Sequence, residues 1–426
     1  MGCSCAQKQL KNYNRNYNFE SALSIPLVLN QICQFLNKDN RKLLYLCNQN
    51  IYLLYCRQIK NLKINKEAQI SNIQILIYKY VNINNLDLSY CENIEDFTPI
   101  SKLKKLEYLN IAYTNITDMS FLENNKNIKE LDLSHCENID NFIPISNLKN
   151  LEHLNIGNTN ISDISFLENN KYIKELDLSY CKNIKDFIPL SKLERLEILN
   201  INDTDISNTL FLENNKNIKN LYLEHCIFIE DLTPLSKLKK LENLNIASTN
   251  ISDISFLKNN KNIKKLDLSF CYDIEDYAPI SNLERLEILY LTHTNISDVS
   301  FLKNNKNIEV LDLNDCANIQ DLSPISNLEK LENLYIFGSN IYDISFLKNN
   351  KNIKQLDLDH CIFIEDFIPL SKLKRLEILN ISYTNISDIS FLENNKNVKE
   401  LYLIGCDKLI KKNNIFKRKD IEIHIS

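Results

Sequence analysis

"KNIKELDLSHCENIDNFIPISNLKNLEHLNIGNTNISDISFLENN", residues 126–170, is one full period of this chain. Leu86, Leu131, Leu176, Leu221, Leu266, Leu311, Leu356 and Leu401 each begin an L-x-L-x-x-C unit, 45 residues apart. Between them lies a second version, from Leu109-Asn-Ile111 and Leu154-Asn-Ile156 to Leu379-Asn-Ile381, so the step alternates between 23 and 22 residues. Self-similarity over fifteen units, residues 83–406, predicts a stacked array rather than separate globules. Each L-x-L reads as a short parallel strand whose alternate side chains point inward. One unit cannot bury its apolar side alone, so neighbours must share a continuous core. Fifteen strands at ~4.8 Å spacing predict a curved sheet roughly 70 Å long. The short step leaves room only for short helical or 3-10 turns, expected around "PISNLKNL" and "SFLENNKNI". Pro99, Pro144, Pro189, Pro234, Pro279, Pro324 and Pro369 fall just outside the strands, where a missing N–H costs least.

The two halves of the period, "IKELDLSHCENI" (128–139) and "LEHLNIGNTNI" (151–161), fit L-x-x-L-x-L-x-x-N/C-x-L with one extra residue after the cysteine. The chain therefore resembles the leucine-rich repeat family over 83–406. That resemblance implies an α/β solenoid with a parallel sheet on one side. Residues 59–82 read as a linker or a degenerate first repeat carrying Ile59-x-x-Leu62-x-Ile64, and 407–426 as a basic C-terminal cap with "IEIHI". Bacterial internalin-like surface proteins share 22-residue repeats of the "NISDISFL" kind, but they need an export signal.

Charge is distributed unevenly along the 426 residues. The chain carries net −5, of which 1–85 contribute +8 and 407–426 contribute +3, leaving −16 on the middle. So acidic a middle disfavours a nucleic-acid surface, which needs clustered Lys and Arg. The first twenty residues are polar and no run approaches the ~20 apolar residues of a membrane span, so a cytoplasmic, reducing setting is expected. The sequons at Asn115, Asn160, Asn250, Asn295 and Asn385 read as incidental to the repeat. Heavy use of Asn, Lys and Ile resembles proteins of AT-rich genomes, such as those of giant amoebal viruses.

No catalytic constellation stands out. With only four glycines, a phosphate-cradling G-x-x-x-x-G-K loop is impossible. Eight cysteines recur from Cys91 to Cys406, but those two rungs apart would lie about 9–10 Å from each other, beyond the roughly 7 Å a disulfide allows. The intervening rungs carry Thr114, Thr159, Thr204, Thr249, Thr294, Ser339 or Thr384 at the equivalent place. The cysteines are therefore expected to be small buried residues with a weak donor, holding no metal. No cofactor is implied, and the chain reads as a binding surface rather than an enzyme. His135, His225 and His360 share one repeat position, while His153, His293 and His424 lie elsewhere in the pattern.

The residues between the strand leucines are expected to form the binding face. They alternate between Asp and Asn (Asp87, Asn110, Asp132, Asn155, Asp177, Asn200), which keeps like charges off adjacent strands and lets amides donate to carboxylates. Tyr222, Tyr290 and Tyr335 break the alternation, near Phe270, His293, Phe337 and His360. Aromatic residues on a variable, exposed face are what protein interfaces favour, so these seven are the expected partner-binding residues.

Ahead of the repeats, "IPLVLNQICQFLNKDNRKLLYLCNQN" (25–50) has helical spacing of Val28, Leu29, Ile32, Cys33, Phe35 and Leu36, a polar break, then Leu43, Leu44 and Cys47. After a polar tail (1–19), residues 20–58 thus read as a helical head. Its order of Pro26, apolar helix ending Phe35-Leu36, Asp39 and a Leu-rich helix with Cys47 resembles the F-box, although the usual proline after Leu36 and the usual Trp after the cysteine are absent. The resemblance implies docking of Pro26, Leu29, Ile32, Phe35, Leu36 and Leu44 on a Skp-like adaptor of a cullin–RING ubiquitin ligase, with the repeats holding a protein substrate. The other reading is a plain scaffold whose head caps the solenoid. "MGCSCAQKQLK" resembles a dual acylation site at Gly2, Cys3 and Cys5, with Ala6 in place of the usual Ser or Thr, which would tether the chain to a membrane surface.

Overall fold

The structure, a computed structural model, describes residues 59–64, 73–410 and 414–425. The chain divides into two compact units, one ending at Asn160 and the other beginning at Ile161. Among the described residues the first unit holds strands β1 (Asn61–Lys63), β2 (Asn85–Asp87), β3 (Tyr108–Asn110), β4 (Glu130–Asp132) and β5 (His153–Asn155), with one short helix, α1 (Gln74–Lys79). The second holds β6 (Glu175–Asp177), β7 (Ile198–Asn200), β8 (Asn220–Tyr222), β9 (Asn243–Asn245), β10 (Lys265–Asp267) and β11 (Ile288–Tyr290). It continues with β12 (Val310–Asp312), β13 (Asn333–Tyr335), β14 (Gln355–Asp357), β15 (Ile378–Asn380), β16 (Glu400–Tyr402) and β17 (Glu422–His424).

Within each unit the strands are parallel and pair leucine to leucine, Leu86 with Leu109 and Leu266 with Leu289. A one-residue slip would turn every buried leucine to solvent, so the hydrophobic pattern fixes this register. The segment around Leu62 supplies a genuine rung, since β1 pairs with β2, and "IEIHI" supplies β17 beside β16.

Opposite the strands run 3-10 turns of four or five residues, such as Ile143–Asn147 and Ser165–Asn169, at the two places the period predicts. Fourteen of these, from Thr98–Lys102 to Ser390–Asn394, are started by an acidic or amide side chain two residues ahead. Asp163 Oδ1 accepts from Ser165 N–H at 2.8 Å, and Asp253 Oδ1 from Ser255 N–H at 2.7 Å. That is why the sequence repeats D-x-S before the turn: the carboxylate satisfies an N–H that a short helix leaves free.

Two polar columns run through the core. Asn215, Asn260, Asn305 and Asn350 are fully buried. The Nδ2 of Asn260 donates to both Leu235 O (2.9 Å) and Leu238 O (3.0 Å) of the preceding turn, and Asn125 does the same in the first unit. Their Oδ1 atoms accept no hydrogen bond, so these side chains are held for their donors alone. The second column is the cysteine–threonine ladder. Ile246 O accepts both Thr249 Oγ1 (2.7 Å) and Cys271 Sγ (3.1 Å), and the two side chains touch at 3.5 Å. Leu291 O, Thr294 and Cys316 repeat the arrangement. A buried carbonyl has two lone pairs, and here two neighbouring rungs fill one each. The eight repeat cysteines are free thiols, all buried. The sequon asparagines have a structural use too: Asn250 Nδ2 donates to Ile227 O at 3.0 Å and Asn295 Nδ2 to Tyr272 O at 2.8 Å.

Burial pushes the Cys136, Cys226, Cys271 and Cys316 thiols up, and Cys361 to about 12. In a variant with Cys3, Cys5, Cys33, Cys47 and Cys56 changed to Ser, native protein at neutral pH should give almost no reaction with a bulky disulfide reagent. All eight thiols should react after unfolding in guanidinium. Rapid native reaction of several thiols would show that the ladder is accessible.

Candidate partner-binding face

Each strand from β1 to β16 turns its middle leucine inward and its flanking residues outward, so the third strand residues form a column on the sheet face. Where that residue is Asp or Asn, its Oδ1 accepts the N–H two residues on. Asp87 takes Ser89 N–H (3.0 Å), Asn200 takes Asn202 N–H (3.1 Å) and Asp312 takes Asn314 N–H (2.9 Å). The column therefore ends each such strand with an Asx turn. Cross-strand donation, expected from the Asp/Asn alternation, is also present, as from Asn200 Nδ2 to Asp177 Oδ2 at 3.0 Å.

Tyrosine cannot make this turn, and at Tyr222, Tyr335 and Tyr402 the sequence supplies a substitute acceptor one rung earlier. Beyond Tyr222, Glu224 N–H goes to Asn202 Oδ1 (2.8 Å), and beyond Tyr335, Phe337 N–H goes to Asn314 Oδ1 (2.8 Å). Beyond Tyr402, Ile404 N–H goes to the Ser382 hydroxyl (3.1 Å). Asparagine stands at this place only ahead of Tyr222 and Tyr335; other rungs hold residues such as Ser89, Ala112, Gly157 and Ser179, and serine precedes Tyr290 and Tyr402. Tyr222 and Tyr335 are thus accommodated by a second residue rather than merely tolerated.

Tyr222, Tyr290 and Tyr335 are half-buried rather than fully exposed. Tyr335 donates its hydroxyl to Gln355 Oε1 at 2.8 Å, and Lys265 Nζ lies 5.3 Å from the Tyr290 ring centre. From β10 to β14 the column reads Asp267, Tyr290, Asp312, Tyr335, Asp357. Burial, with the negative charges of Asp267 and Asp315, holds the Asp312 carboxyl above its ordinary range. Burial also raises Asp357, reinforced by Asp359 and Asp312.

A second column borders the first. After each strand from β2 to β16 one residue takes a left-handed turn, and thirteen of these are not glycine. Phe270 (φ 60°), His293 (53°), Asp315 (54°) and His360 (57°) belong to it. His293 therefore shares the column of His135, His225 and His360, which corrects the sequence pattern's placing of it elsewhere. The two repeat versions differ by one residue only after this turn, so they coincide here. Such backbone costs a non-glycine residue about 1 kcal/mol. Inter-rung bonds offset it, Phe270 N–H to Thr292 O (2.9 Å) and His293 N–H to Asn314 O (2.9 Å) among them.

The turn stacks side chains rung over rung: Phe270 on His293 (4.8 Å) and His360 on Tyr383 (4.5 Å), with Phe337 edge-on to His360 (5.2 Å). His293 Nε2 lies 3.1 Å from Asp315 Oδ2. Gly338 leaves that carboxylate room, because a Cβ there would sit 2.4 Å from Asp315 Oδ1. In the first unit Tyr90, Tyr113 and His135 stack in the same way, at 4.4 and 3.9 Å.

Between the two columns of the second unit lies a depression of about 500 Å³. Small residues, Ala247, Ser248 and Ser269, form its floor, and Tyr290 and Phe270 wall it. Glu224, Asp267 and Asp312 bring acidic side chains to the lining. Of the seven expected residues, the structure brings Phe270 and Tyr290 together here, pairs Phe270 with His293 and Phe337 with His360, and leaves Tyr222 outside the lining. The floor residues and Glu224 carried no sequence signal beyond their small or acidic character. Pro26, Leu29, Ile32, Phe35, Leu36 and Leu44, and Gly2, Cys3 and Cys5, lie outside the described residues. Among the described residues no group of three or more His, Cys, Asp or Glu is placed to hold a metal ion, and no helix is long and apolar enough to cross a membrane.

The raised Asp312 carboxyl makes a stability prediction. A carboxyl whose pKa is higher in the folded than in the unfolded chain stabilises the fold only when protonated, and that contribution is lost as pH rises through the folded value. Ionised Asp312 is therefore a cost at pH 7. Asp312→Asn keeps the Asx turn, as Asn200 and Asn245 do at the same position. It should melt at the same or a higher temperature at pH 7, with the advantage shrinking as pH falls into the carboxylate range. A clear drop in melting temperature at pH 7 would show that the charge is structural.

The family described as leucine-rich repeats (2 copies) matches residues 126–169, 149–193 and 284–327. None of the curated proteins matches the chain. Among solved structures, a leucine-rich repeat protein of Leptospira interrogans superposes with a TM-score of 0.79 at 22% identity, covering 87% of this chain and 97% of its own. The internalin InlF of Listeria monocytogenes gives 0.64 at 25% identity, over 78% and 89%. The functional domain of InlJ from Listeria monocytogenes, which includes a cysteine ladder, gives 0.59 at 21% identity, over 76% and 74%. Period, register and these likenesses agree: the chain folds as a leucine-rich repeat solenoid.

Proposed function

We propose that this chain is a non-catalytic protein-binding solenoid whose partner seats on the β10–β14 face of the second unit, around Tyr290 and Tyr335. Leucine-rich repeat folds typically serve as interaction scaffolds, which supports the reading. The observation that carries it is the pair of residues spent on a tyrosine: Tyr335 gives up the Asx turn, and Asn314 takes over the stranded amide of Phe337. The Tyr335 hydroxyl also bonds Gln355 on the next rung, but the ring stays half-buried on the outward face, where a partner can meet it. Changing Tyr290 and Tyr335 together to Ser should cost about 1 kcal/mol or less for two half-buried side chains. It should weaken capture of a bound protein partner at least tenfold. A melting temperature that collapses instead would make the tyrosines part of the core.

The finer proposal gives the solenoid a destination. The F-box-like order of Pro26, Leu29, Ile32, Phe35, Leu36, Asp39, Leu44 and Cys47 supports docking of the head on a Skp-like adaptor and cullin, with the repeats as the substrate receptor in the cytoplasm of a host with an AT-rich genome. The "MGCSC" start supports tethering of the same receptor to a membrane surface through Gly2, Cys3 and Cys5. Phe35→Asp places a charge where aromatic burial of roughly 2–3 kcal/mol is available. Wild-type protein should bring down a Skp-like adaptor from a eukaryotic lysate, and Phe35→Asp should not. Wild type that captures no adaptor leaves the plain scaffold standing.

A further inference from the structure

The first unit shows what a carboxylate in the outward column does when a cation is available. Asp87 occupies the same repeat position as Asp312, and Lys63 on the neighbouring strand reaches it, Nζ to Oδ2 at 2.6 Å. Although burial raises the Asp87 carboxyl, the bonds from Lys63 and Ser89 hold it below its ordinary range. On β10–β14 no such cation exists. Among the described residues, no Lys, Arg or His forms an ion pair with Asp267, Asp312 or Asp357. The nearest cation, Lys265, is turned to the Tyr290 ring instead. His293 is committed to Asp315, and His225 lies 3.8 Å from Glu224.

We propose that the depression walled by Tyr290 and Phe270 receives an arginine or lysine side chain from a basic segment of a protein partner, which takes at Asp267 and Asp312 the place that Lys63 takes at Asp87. The proposal rests on the reading of this face as the partner-binding surface and adds the chemistry of what is bound. Three features converge on a cation. The carboxylates are partly desolvated and lack a counter-charge, so a cation gains more there than at a solvated acid. Lys265, which is outside the depression's lining, sets its ammonium 5.3 Å from the Tyr290 ring centre, so this ring acts as a cation–π acceptor in its setting. The floor of Ala247, Ser248 and Ser269 leaves about 500 Å³, ample for a guanidinium and its stem. Asp–Tyr alternation continues to Asp357, so a second basic side chain two rungs away, about 9–10 Å along the face, would meet the same surroundings at Tyr335.

The test uses the full chain and a fluorescein-labelled dodecapeptide of alternating arginine and alanine, followed by anisotropy, beside a counterpart with citrulline for arginine. The arginine peptide should bind at least tenfold more tightly than the citrulline peptide. Asp312→Asn should weaken the arginine peptide about tenfold, the loss expected of one charge-assisted contact. Tyr290→Leu should weaken it several-fold. Neutralising two exposed carboxylates outside the depression, Glu194→Gln with Glu284→Gln, should change it by less than twofold. Equal binding of both peptides, or an equal loss in the Glu194/Glu284 variant, would overturn the proposal and leave only general attraction to an acidic chain. If Tyr290→Ser with Tyr335→Ser lowers capture of a protein partner while Asp312→Asn does not, the face binds proteins by another chemistry and this proposal alone falls. If none of these changes affects capture, the partner-binding reading falls with it.

Discussion

The buried carbonyls of a rung need more donors than the rung itself supplies, and the rest of the structure depends on that constraint. A rung closes single bonds at its turns, such as Leu238 N–H to Leu235 O and Leu241 N–H to Leu238 O, and leaves the second lone pair of each carbonyl open. The sequence therefore threads donors from one rung to the next, as Asn260 does to Leu235 and Leu238, and as Cys271 does to Ile246 beside the same rung's Thr249. Losing such a donor would leave a buried lone pair unfilled on a carbonyl that keeps only its own rung's bond. This explains why asparagine, threonine and cysteine recur at fixed positions in an otherwise leucine and isoleucine core. It also explains the sequon-like N-I-S/T: its asparagine is a rung-to-rung donor.

With the interior fixed so tightly, variation is confined to the outward columns, and there two demands compete. Asp or Asn after the strand leucine ends the strand with a local turn. Tyrosine does not, and at Tyr222 and Tyr335 the stranded amide turns to Asn202 or Asn314 one rung before. Asp312 and Asp357 add desolvated negative charge without a cation from the chain, whereas Asp87 has Lys63. The left-handed column adds backbone strain at phenylalanine and histidine, side chains that then stack outward. The left-handed strain recurs on every rung from β2 to β16 and so belongs to the repeat, whereas the choice of Tyr or Asp varies from rung to rung.

Much of the fold was legible in the residues. The 22–23-residue step, the inward leucines, the parallel register, the two turn positions and the shared place of Cys and Thr all followed from period and side-chain alternation. These are local properties, written within a few residues of where they act. Part of the candidate face was legible too, since Tyr222, Tyr290 and Tyr335 interrupt a regular alternation. Their half-burial was not, because it depends on the side chains of flanking strands.

By itself the sequence determined the repeat, its register, and which residues face inward, because a periodic pattern admits only one way to bury its leucines. The tertiary structure alone decided which outward residues meet. His293 joined the left-handed column, Tyr222 fell outside the depression, and Glu224, Ala247 and Ser269 came to line it. It also decided that Asp87 has a cation and Asp312 has none. Those relations join residues a full rung or more apart, where the environment of a charge is set by what the neighbouring rung places beside it.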